Sequence, residues 1–136
     1  MINKFFAILR GRNEVPPVRT NAQGEVVFKV SDCGRRVLFK MALEDINNVT
    51  VAHIHLGKEG ENGPVVVTLF GPLKKAVSIE DAIFKGVITR DDLEGPLAGR
   101  SLAALLREMN RKNTYVNVHT VQNPIGEIRG QVYPKN

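Results

Sequence analysis

Val51-Ala52-His53-Ile54-His55-Leu56-Gly57 is the stretch on which the reading of this chain turns. Its β-branched and apolar residues describe a strand, and a strand sends successive side chains to opposite faces. His53 and His55 therefore point the same way, about 6.6 Å apart along the backbone, so both rings can approach one ion. The chain has 3 histidines in all. The third, His119, lies in Tyr115-Val116-Asn117-Val118-His119-Thr120, whose composition is equally strand-like. All the imidazole of the protein thus falls on expected strands.

Outward from this strand, a polar loop over residues 57–63 leads to Pro64-Val65-Val66-Val67-Thr68-Leu69-Phe70, apolar on both faces as an interior sandwich strand would be. Upstream, Asp45-Ile46-Asn47-Asn48 reads as a link. Residues 25–30 and 36–43 read as a hairpin about the turn formers Ser31-Asp32-Cys33-Gly34. Residues 5–10 form the expected first strand, and Pro16-Pro17 removes two backbone donors and enforces an extended, unladdered connection. Downstream, Ser78-Ile79-Glu80-Asp81 predicts one helical turn with Ser78 as its cap, followed by a strand over residues 82–89. Leu102, Leu105, Leu106 and Met109 fall at helical spacing and predict one helix over about residues 101–111. In a last strand over residues 127–133, Glu127, Arg129 and Gln131 share one face. The pattern predicts an all-β antiparallel sandwich with one inserted α-helix.

At 136 residues and 43% hydrophobic content the chain matches a single domain over 1–136. The net charge of +5 is spread among acidic residues rather than gathered on a helix or beside aromatic strand residues, so no nucleic-acid partner is expected. A single cysteine, Cys33, excludes an internal disulfide. No apolar run approaches the roughly 18 to 20 residues of a membrane span. The first residues read as a strand rather than a signal peptide, which points to the cytoplasm, or to secretion if a leader has been removed. Ser31, Ser78, Ser101 and Cys33 occupy turn or capping contexts with no activator beside them. The loop over residues 57–63 lacks the Lys-Ser/Thr ending of a phosphate loop.

Five motifs in order resemble one family: Leu9-Arg10-Gly11 through Glu14-Val15-Pro16-Pro17-Val18, Ala52-His53-Ile54-His55, Asn62-Gly63-Pro64-Val65-Val66-Val67, Tyr115-Val116-Asn117-Val118-His119-Thr120, and Asn123-Pro124-Ile125-Gly126-Glu127-Ile128-Arg129-Gly130. They resemble the CHRD domain, the module named after chordin, and most closely its stand-alone microbial members. The likeness runs from about residue 5 to residue 133. It implies a sandwich of immunoglobulin-like or copper/zinc superoxide dismutase-like character, in a family without an agreed biochemical role. A dismutase of that kind needs more histidine ligands than this chain has and a disulfide that one cysteine cannot form, and a shared fold alone carries no function.

Two readings of the polar residues remain open. In the first, the histidines are framework groups in one satisfied polar layer with Glu14, Asn117, Glu127 and Arg129. The protein is then a non-enzymatic module that binds a protein or small ligand through the loop residues Lys58, Glu61 and Asn62 and through its sheet edges. In the second, His53, His55 and His119 hold zinc or copper, a centre suited to redox or hydrolytic chemistry. The framework reading leads, because a Glu-Arg-His network is a sufficient reason for these residues. Sheet edges also permit pairing into a homo-oligomer.

Overall fold

The computed structural model describes residues 3–135. Eight strands, all paired antiparallel, make the framework: β1 (Lys4–Arg10), β2 (Gln23–Val30), β3 (Val37–Leu56), β4 (Val65–Phe70), β5 (Val77–Ile88), β6 (Thr114–Thr120), β7 (Ile128–Gln131) and β8 (Tyr133–Pro134). One helix, α1 (Leu102–Asn110), lies between β5 and β6. The expected all-β class, the β2–β3 hairpin and the late helix are all present. Among the described residues no helix is long and apolar enough to cross a membrane.

The organising element is β3. Residues 37–44 pair with β2 on one edge and with β5 on the other. Residues 52–55 pair with both β4 and β6. One long strand therefore belongs to two sectors, β1-β2-β3-β5 and β4-β3-β6-β7. A single bridge, Arg10 opposite Arg129, joins β1 to β7 and closes the ring of strands. The passage between sectors lies at Asp45 and Asn48, which have φ of 53° and 56°, and the β5 register shifts between Ile46 and Val49. Asp and Asn tolerate the left-handed region better than most residues, so these turn formers bend the strand without ending it. The link read at residues 45–48 is thus part of β3. Ser78 is likewise corrected: it lies in β5 rather than capping a helical turn, and its Oγ accepts from the Asn48 amide at 3.1 Å. Ten residue pairs with β3 outweigh that local signal.

Alternation then assigns the faces. Phe5, Ala7 and Leu9 of β1, Val26 and Phe28 of β2, Phe39, Met41, Leu43, Ala52 and Ile54 of β3, Val116 and Val118 of β6, and Ile128 of β7 point into one core. Helix α1 lays Leu102, Leu105 and Met109 on it, the stripe that its spacing predicts. The opposite face of β6, carrying Tyr115, Asn117 and His119, is nevertheless covered, with Tyr115 and Asn117 buried. Its cover consists of polar segments and not of more core.

Candidate functional site

In the β3–β6 ladder His53 stands opposite Asn117, His55 opposite Tyr115, and Val51 opposite His119. Opposed residues share a face, so all three histidines project from the side of the sheet away from the core. In β7, Arg129 is opposite Asn117 and Gln131 opposite Tyr115, which extends the same polar face. The ring centroids of His53 and His119 are 4.9 Å apart and those of His53 and His55 5.5 Å. One ligating nitrogen from each histidine lies within 4.8 Å of the other two.

The surrounding acceptors fix where the imidazole protons are. His55 Nδ1 faces the Gly63 carbonyl at 2.9 Å, and His119 Nδ1 faces the Pro124 carbonyl at 2.7 Å. A carbonyl only accepts, so both Nδ1 atoms carry hydrogen and both neutral rings present a lone pair at Nε2. Both Nε2 atoms meet the same group, Asn117 Oδ1, at 2.9 and 3.0 Å. The amide orientation follows from its other end, where Asn117 Nδ2 donates to the Ile125 carbonyl at 3.3 Å. Oδ1 is thereby turned toward the histidines. His53 Nδ1, 3.2 Å from His119 Nε2, can supply one hydrogen. The His55 Nε2 lone pair still opposes Oδ1, and that contact lacks a proton.

Protonating His53 and His55 is opposed by their surroundings. Burial, reinforced by His119 and His55, pushes His53 down to about 4, and burial also lowers His55. His53 and His55 are therefore neutral nitrogen donors at pH 7. The Nδ1–H···O=C bonds are the supports that orient metal-ligating histidines elsewhere in proteins. Around a tetrahedral zinc the nitrogens lie about 3.3 Å apart, so binding would close the widest pair by up to about 1.5 Å, while His53 Nδ1 and His119 Nε2 already stand 3.2 Å apart.

Glu14, Arg129 and Glu127 make no hydrogen bond to the histidine rings among the described residues. The Arg129 guanidinium, 2% exposed, donates to Asn62 Oδ1 at 3.0 Å, to the Lys58 carbonyl at 3.2 Å and to the Glu61 carbonyl, and lies 3.5 Å from the Tyr115 ring centroid. It clamps the 58–62 loop instead of pairing with a carboxylate. The clamp reaches the site, because Tyr115 stacks on His55 at 4.7 Å and its hydroxyl accepts from the Gly63 amide at 3.0 Å. Glu61 Oε1 accepts from the Lys58 amide, and Asn62 Nδ2 donates to the Val15 carbonyl. Glu61 and Asn62, exposed at the surface, thus also help to hold the loop.

Glu127 turns the other way. Burial opposes its ionisation, but Asn123, Thr20, Thr120 and Gln122 all donate to it and together hold its carboxyl low. It organises the turn that delivers the Pro124 carbonyl to His119. Glu14 lies behind Asn117 with Oε2 buried and unpartnered among the described residues. Burial pushes its carboxyl up to about 7 against the pull of Arg129 and Asn117. Gly126, at φ 141°, leaves room there: a Cβ would meet Glu14 Oε2 and come within 2.7 Å of Asn117 Nδ2.

The Gly63 and Pro124 carbonyls and the Tyr115 ring are parts of the site that reading residue types does not reveal. Their nearest signal is that they lie within the motifs around Gly63-Pro64, Asn123-Pro124 and Tyr115. A family model described as CHRD domain matches residues 5–132. No curated protein matches the chain.

Proposed function

The chain belongs to the CHRD-domain family, and from that premise we propose that it is a binding module whose ligand is a transition-metal ion, zinc or copper(II), held by His53, His55 and His119. One observation carries the reading: His55 Nε2, His119 Nε2 and Asn117 Oδ1 converge as acceptors after every neighbouring carbonyl has taken its proton. A cation answers that arrangement, and three imidazoles are a donor set that zinc and copper(II) both accept. His53 completes it through Nδ1, its proton passing to Nε2. Asn117 and the two carbonyls position the ligands. The reading assigns binding and no catalytic step.

In this account residues 1–136 are one domain, a sandwich of the immunoglobulin-like or copper/zinc superoxide dismutase-like kind in which the bent β3 is the shared corner. The test is titration of protein purified without a metal-affinity tag with zinc and copper near pH 7.5. About one equivalent should bind, raise the Tm, and be lost in His119→Ala. A wild-type protein that takes up neither metal and shows no thermal shift would leave the histidines as framework.

A further inference from the structure

Away from the histidines, the outer face of the β1-β2-β3-β5 sector carries two neighbouring cross-strand rows. Lys4, Lys29, Leu38 and Val87 are successive partners in one, and Phe6, Val27, Lys40 and Lys85 in the other. Between the rows runs a groove of about 600 Å³, and Lys135 closes its β1 end. No acidic residue lines it. Val27, Leu38 and Val87 are 43%, 46% and 50% exposed, so the groove is apolar between its charges.

The choice of cation identifies the partner. The 19 basic residues divide into nine lysines and ten arginines. Five of those lysines, Lys4, Lys29, Lys40, Lys85 and Lys135, line this groove, and none of the arginines does. Arginine is the side chain that matches a carboxylate or phosphate with a rigid fork, whereas lysine offers a mobile point charge on an aliphatic stem. A patch of lysines alone suits a diffuse negative surface more than a shaped acidic peptide. A second copy is disfavoured, because it would set lysines against lysines.

We propose that this face docks on an anionic lipid surface, the lysines lying among the headgroups and Val27, Leu38 and Val87 at the acyl boundary. Each lysine near such a surface contributes about a fivefold gain in partitioning, which salt screens. This inference is independent of the histidine site.

The experiment is co-sedimentation of the full chain with vesicles of phosphatidylglycerol and phosphatidylcholine, and with phosphatidylcholine alone, at low and high salt. The wild-type protein should bind the anionic vesicles only, and release in high salt. Lys29→Gln/Lys40→Gln/Lys85→Gln should lose about a hundredfold in partitioning. Lys74→Gln/Lys75→Gln/Arg107→Gln, which removes the same charge from exposed positions elsewhere, should stay within about threefold of wild type. Leu38→Gln, with every charge kept, should weaken binding several-fold. An equal loss in the two triple variants, no effect of Leu38→Gln, or tighter binding to polyglutamate than to the vesicles would overturn the proposal. Unchanged Tm in each variant separates loss of docking from loss of fold.

Discussion

Replacing Glu14 with Gln should make this protein more stable at neutral and alkaline pH. The Glu14 side chain is buried, its Oε2 has no partner among the described residues, and its carboxyl is raised from an ordinary 4.5 to about 7. A group raised in the folded state contributes fully below its unfolded value. Its contribution is lost as pH rises through the folded value. At about 1.4 kcal/mol per pH unit, the interval from 4.5 to about 7 corresponds to roughly 3 kcal/mol of stability lost between those limits. Glutamine keeps the shape and removes the charge, so it should recover most of that loss above pH 7 and change little below pH 4.5. Urea unfolding of wild type and Glu14→Gln, with chelator present, at pH 4, 6 and 8 measures it. The two stability curves should diverge as pH rises, with the variant ahead by about 2 to 3 kcal/mol at pH 8. A variant less stable than wild type at pH 8 would refute the reasoning. It would mean that the Glu14 charge is a net-favourable partner of Arg129 or Asn117.

The depressed His53 has the opposite sign. Lowered from 6.5 to about 4, it favours the fold when neutral, so its own contribution should fall by on the order of 2 kcal/mol as pH drops from 6.5 to 4, against the gain from Glu14 over the same range. In a Glu14→Gln background, where that gain is absent, adding His53→Gln should bring the urea midpoints at those two pH values closer together. Gly126→Ala forces a Cβ against Glu14 and Asn117 in a backbone region hostile to side chains, and should cost at least about 2 kcal/mol. Because Asn117 moves, zinc affinity in the folded fraction should also fall tenfold or more by calorimetry. Leu105→Ala, at a fully buried helix position, should cost about 2 to 5 kcal/mol yet leave zinc affinity unchanged under conditions where the variant is folded.

Periodicity carried most of the fold. The alternation in β6 by itself separates Val116 and Val118 from Tyr115, Asn117 and His119, and the leucine spacing of α1 marks its buried stripe. What it could not convey was continuity through a bend. Asp45 and Asn48 are residues that end strands in most contexts, and only pairing with β5 on one side and β6 on the other shows that β3 runs through them. Ser78 failed for the same reason, since ladder partners far along the chain outweighed a local cap.

At the site, the His-x-His spacing was legible because strand geometry alone puts His53 and His55 on one face, whereas His119 joins them only through the β3–β6 pairing. The partners of the imidazoles were not, since two are backbone carbonyls whose positions depend on loop closure. Arg129 shows the limit of matching charges by type. Two glutamates in neighbouring motifs suggest ion pairs, yet its guanidinium goes to Lys58, Glu61 and Asn62 across the sheet.

The most direct test of the metal reading is the protonation pattern of the six imidazole nitrogens, read by long-range proton–nitrogen NMR correlations before and after one equivalent of zinc. The account predicts Nδ1–H tautomers for His55 and His119 in the metal-free protein. With zinc, both Nε2 resonances should shift to metal-bound values, and His53 should change to the Nε2–H form as its Nδ1 takes the metal. Nε2–H protons on His55 and His119 without zinc, and spectra that zinc leaves unchanged, would contradict it and return all three histidines to the framework.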